Sequence, residues 1–107
     1  MNKARLSQLL TFLEEDNKDP FNWYAVGNEY RTEEPLKAVE YFEELRTRFP
    51  AYVPTYYILA ETLVALEEME RAKEVYERGI AVAKETGEQK ALAELQNAYQ
   101  NFLFELD

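Results

Sequence analysis

The chain has 107 residues, 47% of them apolar and 31% charged, which fits one globular domain with a modest core. Cysteine and histidine are absent, which excludes disulfides, thiolate or imidazole metal ligands and Cys- or His-dependent catalysis. The net charge of −9 disfavours nucleic acid and anionic membranes as partners and favours a basic partner, although such a charge also serves solubility alone.

The first predicted helix runs from Asn2 to about Glu15 and has one leucine-rich face. The segment lacks the long apolar run of a membrane span and the small-residue cleavage site of a signal peptide, so we expect a cytoplasmic protein. Asp19 as N-cap and Pro20 at the first helical position then start a second helix, which extends to about Arg31. The leucines of the first face are Leu6, Leu9, Leu10 and Leu13.

Four more helices are predicted, and no segment shows the period-two alternation of a strand. Gly79 falls inside the fifth helix, which indicates either a close approach of a neighbouring helix or simple tolerance at a surface position. Gly87 is expected to end that helix. The sixth helix has Leu92, Leu95, Tyr99, Phe102, Leu103 and Leu106 on one face. The predicted ranges are Pro35–Arg48, Val53–Leu66, Met69–Glu85 and Glu88–Leu106.

A signature recurs twice along the chain, with four pairs of positions 33 residues apart and two pairs 34 apart. A period of this length indicates a helical repeat. The first copy contains Trp23, Val26, Gly27, Tyr30, Ala38 and Phe42, and the second contains Tyr56, Leu59, Ala60, Leu63, Ala72 and Tyr76. With Pro50 closing the first unit, these residues resemble the tetratricopeptide repeat, W-x2-L-G-x2-Y followed by A-x3-F and P. The first unit is one residue shorter, in the corner at Thr32–Glu34, which should alter the turn and not the core.

This resemblance implies an all-α fold, a tetratricopeptide-type superhelix of antiparallel helix pairs with about six helices. Residues 1–19 would form an N-terminal helix, 20–52 the first repeat, 53–86 the second and 87–107 a capping helix. Large side chains such as Trp23 and Tyr56 would be buried between units. The segments DPFNWYAVGNEY, from Asp19, and ALAELQNA, from Ala91, also resemble small stand-alone bacterial members that have no assigned role.

The resemblance also implies a concave groove lined by the first helix of each unit. Tyr24 and Tyr57 occupy equivalent positions and should stand side by side, unless they only pack against the sixth helix or each other. Members that grip a C-terminal carboxylate need lysines where Tyr24 and Glu88 stand, and only Asn28 matches their five-residue set, which argues against that function. The groove positions are Phe21, Tyr24, Asn28 and Arg31 in the first unit and Pro54, Tyr57, Glu61 and Val64 in the second.

The acidic clusters are interpreted as helix exteriors, because none has the loop of a calcium site or a partner that would shift a catalytic pKa. Glu44–Arg48, Glu67–Arg71 and Glu74–Arg78 have the i, i+4 spacing of helix-stabilising ion pairs. We therefore expect no enzyme, metal or cofactor, and a module that binds a short peptide or protein segment weakly in its groove. The alternative is a self-associating structural protein that pairs weakly through its last helix, where Phe104 lies off the apolar face.

Overall fold

The computed structural model describes residues 1–106, and this part of the chain contains helices and no strand. The predicted all-α architecture is confirmed, and every helix end lies within one residue of its predicted position. The helices are α1 (Lys3–Glu15), α2 (Pro20–Tyr30), α3 (Pro35–Arg48), α4 (Pro54–Ala65), α5 (Met69–Thr86) and α6 (Gln89–Leu106).

The helix ends follow local capping chemistry. The Asp19 carboxylate accepts a hydrogen bond from the backbone N–H of Phe21 at 2.9 Å, and Pro20 follows it at the first helical position. At the other end of the molecule, Gly87 adopts a left-handed conformation with φ of 72° and ends α5. The Glu88 N–H then donates to the Ala83 carbonyl at 3.0 Å, which closes a Schellman turn and aims the chain into α6.

Each helix packs against its neighbours in the chain, so the fold is a stack of helix pairs. The most extensive contacts join α2 with α3 and α4 with α5, which are the two repeat units, while α1 packs on α2 and α6 packs on α5. One core cluster runs through all six helices, from Leu13 of α1 to Phe102 of α6. Neither repeat unit is covered without its neighbours, as expected for stacked repeats.

A glycine lies at the helix crossing of each unit, and both are buried. A Cβ at Gly27 of α2 would come within 2.4 Å of the Phe42 ring of α3. A Cβ at Gly79 of α5 would come within 2.5 Å of the Tyr56 Cβ of α4. Gly79 therefore permits a close approach of α4 and α5, and the interpretation as a tolerated surface glycine is wrong.

The two equivalent aromatic residues Trp23 and Tyr56 each form a hydrogen bond with the loop that precedes their unit. The Trp23 indole N–H donates to the Asn17 carbonyl at 2.9 Å, and the Tyr56 hydroxyl donates to the Pro50 carbonyl at 2.6 Å. Tyr56 is only 1% exposed, but the burial predicted for Trp23 is wrong, because its side chain stays partly exposed. The position equivalent to Gly79 in the first unit is Leu45, which is fully buried.

The one-residue difference between the units is confined to their corners, as predicted. In the second unit α4 continues two residues past Leu63, and Glu67 then takes a left-handed conformation with φ of 60°. In the first unit α2 ends at Tyr30, whose carbonyl accepts the Glu34 N–H at 2.8 Å. The core alanines that follow, Ala38 and Ala72, are fully buried in both units.

Two of the three predicted ion pairs are replaced by pairs between helices. Glu44 and Arg48 do pair within α3, at 2.8 Å. Arg71 of α5 instead pairs with Glu43 of α3 at 3.0 Å, and Glu74 of α5 pairs with Arg46 of α3 at 2.8 Å. Stacking brings α3 and α5 close enough for these side chains to meet, which the spacing along one helix could not indicate.

The apolar face predicted for α6 is buried except at its end. Leu95 and Phe102 are buried and Leu92, Tyr99 and Leu103 are partly buried, but Leu106 is 47% exposed because it lies in the last turn, beyond the end of the core.

Phe104, on another side of α6, is 84% exposed. Its neighbours one and two turns earlier are exposed polar residues, so the exposed apolar surface there is a single ring; these neighbours are Asn97, Gln100 and Asn101.

The Gly79 contact predicts the effect of adding one methyl group. Gly79→Ala gains about 1 kcal/mol of helix propensity but overpacks the α4–α5 crossing by about 1–3 kcal/mol. We expect a net loss in the free energy of unfolding, measured by urea denaturation followed by circular dichroism. A variant more stable than the wild type would contradict the close approach.

The Glu67 turn predicts a stabilising substitution. Glu67→Gly should raise the free energy of unfolding by on the order of 0.5 kcal/mol. Glycine removes the steric cost of the left-handed conformation, and this gain exceeds the loss that comes from the greater entropy of the unfolded chain. The matched control is Glu68→Gly, since Glu68 has an ordinary φ of −90° and glycine relieves nothing there. Equal effects of the two changes in thermal melts would contradict this assignment.

Candidate functional site

One face of the helix stack, formed by α2, α4 and α6, contains two adjacent clefts that share the side chain of Tyr57. We name them the Tyr24 cleft, of about 240 Å³, and the Arg31 cleft, of about 370 Å³. The Tyr24 cleft is lined by Tyr24, Val53, Pro54, Tyr57, Ile58, Glu88, Ala91, Glu94 and Leu95. The Arg31 cleft is lined by Arg31, Tyr57, Glu61, Val64, Ala65, Tyr76, Ala98, Asn101, Phe102 and Glu105.

The Tyr24 cleft has mainly apolar walls. The Tyr24 ring is held in place by the Phe42 ring, at 6.3 Å between centroids, and by the edge of the Tyr52 ring, at 6.4 Å. Tyr57 is 37% exposed and forms the boundary with the Arg31 cleft. The two tyrosines thus line one cavity, and Tyr24 is fixed by the core of its own unit.

The Arg31 cleft is bridged by an ion pair between the two units. The guanidinium of Arg31, the residue that follows α2, lies 2.8 Å from the Glu61 carboxylate of α4. Below this pair, the cleft floor includes the buried rings of Tyr76 and Phe102, whose centroids are 5.4 Å apart. The cleft therefore has an apolar base and a charged rim, of which Glu105 of α6 is also part.

Two of the predicted groove positions lie outside both clefts. Phe21 is 56% exposed and its ring stacks on that of Tyr24 at 6.3 Å, next to the Tyr24 cleft. Asn28 is exposed on α2, between the turns that bear Tyr24 and Arg31. The other predicted positions line one cleft or both; they are Tyr24, Arg31, Pro54, Tyr57, Glu61 and Val64.

The sequence-based groove omitted one wall, which α6 supplies. A signal for it exists, because one further period of 34 residues takes Pro54 to Glu88, Tyr57 to Ala91 and Val64 to Ala98. All three of these α6-side positions line the clefts. From the sequence, the last helix is interpreted as a cap or a self-association contact; in the structure its side chains also line both clefts. Glu94 and Glu105 have no such signal, and only the packing of α6 places them.

Comparison with known families agrees with this geometry. The sequence model of the family described as tetratricopeptide repeat matches residues 31–95. The chain belongs to the tetratricopeptide-repeat family. The match begins directly after α2 and ends within α6, so it includes both helices of the second unit and the part of α6 that lines the Tyr24 cleft.

Solved structures of bacterial tetratricopeptide proteins share the fold. A tetratricopeptide repeat domain protein from Salinibacter ruber, solved in solution, is 40% identical, with a TM-score of 0.76 over 81% of this chain and 89% of that one. Its crystal structure gives 40% identity and a TM-score of 0.73 over 78% and 96%. A protein from Bordetella parapertussis is 22% identical and shares the fold, with a TM-score of 0.80 over 94% and 88%. No protein with a curated functional description matches the chain.

The charge around the tetratricopeptide groove is negative. Along the two clefts stand four carboxylates, Glu61, Glu88, Glu94 and Glu105, against the single Arg31. The Glu61 carboxylate raises the pKa of Tyr57, and burial and Glu94 act in the same direction. Burial, with Glu61, Tyr57 and Glu105, raises the pKa of Tyr76 to about 12. The lining of the two clefts therefore has a net negative charge.

Two absences hold for residues 1–106. No helix there has the length and apolar character required to cross a membrane. No group of three or more potential metal ligands comes together in the same part of the chain.

The raised pKa of Tyr76 predicts a loss of stability at alkaline pH. The unfolded chain releases this proton near pH 10 and the folded chain near pH 12, so the contribution is complete below pH 10 and disappears as the pH rises to 12. Between pH 9 and 11 the wild type should lose about 1 kcal/mol more unfolding free energy than Tyr76→Phe. Urea denaturation at both pH values measures this, and an equal loss in both proteins would contradict it.

Proposed function

We propose that this protein is a non-enzymatic, cytoplasmic interaction module that holds a short, basic segment of a partner protein along the α2–α4–α6 face. The observation that supports this most is the Tyr24 cleft, where two tyrosines from successive units line one cavity. Tyrosine suits such a surface, because its ring offers a large contact area and its hydroxyl a polar tip. Tetratricopeptide proteins are in general non-catalytic scaffolds, which agrees with the absence of histidine and cysteine.

The proposed contact surface combines the sequence-based groove with the α6 wall. Tyr57 is the centre of this surface, since it lines both clefts and its side chain is accessible to a bound segment. Phe21 and Asn28 extend the surface along α2. The division into an N-terminal helix, two repeats and a cap, at residues 19, 52 and 86, belongs to this proposal. The full set is Phe21, Tyr24, Asn28, Arg31, Tyr57, Glu61 and Val64, together with Glu88, Ala91 and Glu94 of the α6 side.

Size and charge set the expected binding behaviour. Two clefts on a stack of six helices hold a segment of a few residues, so the affinity should be modest. The net charge of −9 should raise the association rate with a basic partner and make binding weaker at high salt.

A peptide-display selection tests the proposal. Peptides from a random library selected on the wild-type protein should lose on the order of tenfold in affinity for Tyr57→Ala, because truncating a central aromatic typically costs 1 kcal/mol or more. The matched control is Phe12→Ala, since Phe12 is an aromatic residue of α1 with 45% exposure that lies outside both clefts.

The readout is isothermal titration of the selected peptides, with circular dichroism to establish that each variant is folded. Selected peptides that bind Tyr57→Ala as tightly as the wild type would overturn the groove as the binding surface. A selection that enriches no peptide would count against peptide binding as such.

Self-association through α6 is the alternative function. Phe104 is the feature that favours it, because it is 84% exposed near the end of the helix. Light scattering of the wild type and of Phe104→Ala decides between the two. A concentration-dependent dimer that Phe104→Ala abolishes would support the alternative, and a monomer at high concentration would remove it.

A further inference from the structure

We infer that the Tyr24 cleft is a pocket for one arginine or lysine side chain of the bound segment. The inference rests on the proposed function and names the residue that the groove selects. It follows from three features of the cleft: its apolar walls, its two carboxylates, and the lack of a base that neutralises them.

The walls suit the aliphatic part of a long basic side chain. Tyr24 and Tyr57 come from successive units, and Val53, Pro54, Ile58 and Leu95 complete the apolar lining. Arginine and lysine pack their methylene groups along such surfaces while keeping the charged end near water. A tyrosine ring also attracts a cation at its face.

Glu88 and Glu94 place negative charge on the α6 side of this apolar space. The Glu88 carboxylate accepts a hydrogen bond from the Thr86 hydroxyl at 3.1 Å, and within residues 1–106 neither glutamate has a basic group within 4 Å. Lys90 lines an open depression beside the cleft together with Glu88 and Glu94, but it does not line the Tyr24 cleft itself. The N-terminus of α6 offsets at most about half a charge. The Tyr24 cleft is therefore left with a negative charge that a ligand can neutralise.

The Arg31 cleft differs in this respect and serves as an internal comparison. Its Glu61 is already paired with Arg31 at 2.8 Å. Within residues 1–106, the Arg31 cleft therefore has one carboxylate without an ion pair, Glu105, whereas the Tyr24 cleft has two. Of the two clefts, the Tyr24 cleft thus offers the larger gain to a cation. An anionic group would meet two carboxylates there, and an uncharged apolar side chain would bury them without a partner.

The test uses two peptides that differ only in charge. The probe is acetyl-Ala-Leu-Arg-Leu-Ala-amide, and the comparison peptide has citrulline, a neutral analogue of nearly the same shape, in place of arginine. Each is titrated into ¹⁵N-labelled full-length protein, and the shifts of the backbone amides of Tyr57, Ala91 and Glu94 are followed. The variant is Glu88→Gln/Glu94→Gln. The matched control is Glu14→Gln/Glu15→Gln, which removes the same charge from exposed positions of α1 outside both clefts.

We expect the arginine peptide to bind about five- to tenfold more tightly than the citrulline peptide, from two partly exposed charge pairs. The preference should disappear in Glu88→Gln/Glu94→Gln, persist in Glu14→Gln/Glu15→Gln, and shrink as salt is added.

Equal binding of both peptides at these amides would overturn the pocket while leaving the groove as a peptide-binding surface. Absence of shifts with the arginine peptide at millimolar concentration would also overturn the pocket. The display selection would then distinguish failure of the pocket from failure of the proposed function. If it yields peptides that bind the groove but contain no basic residue, the pocket is wrong and the proposed function stands.

Discussion

Tyr56 and Gly79 meet where α4 crosses α5, with so little space that a single methyl group on Gly79 would come within 2.5 Å of the Tyr56 Cβ. This contact lets Tyr56 sink into the core, where its hydroxyl reaches the Pro50 carbonyl of the preceding loop. The second unit is thereby fixed against the first. In the first unit the close contact between helices is that of Gly27 with the Phe42 ring. The partly exposed Trp23 donates a hydrogen bond to the loop before the unit, at the Asn17 carbonyl.

The groove depends on this close packing, because its two clefts lie between helices of different units. Tyr24 is positioned by Phe42, the residue that Gly27 admits into the core. Tyr57 follows Tyr56 in the chain, so burying one ring directs the other to the surface. Of these two adjacent side chains, Tyr56 is therefore part of the core and Tyr57 part of the cleft lining. Substitutions at Gly27 or Gly79 should disturb the clefts without touching a ligand.

The charge along this surface is mainly negative. The ion pairs between α3 and α5, such as Arg46 with Glu74, use basic residues on a different helix face. Along the clefts only Arg31 is basic, and it is paired with Glu61. Glu94 and Glu105 of α6 have no ion pair within residues 1–106, and Glu61, with burial and Glu94, raises the pKa of Tyr57. This is the opposite polarity to a site that grips a carboxylate.

The sequence by itself determined the six helices and the repeat architecture, because a 33–34-residue period and the 3.6-residue period of apolar side chains are local patterns. It could not determine that only the second unit has room in the core for the aromatic ring at this position, so it predicted burial for Trp23 as well as for Tyr56. It also could not place Glu94 and Glu105 beside Tyr57, or pair Arg71 with Glu43. Those relations are between helices, and only the stacking of one helix pair on the next brings such side chains together.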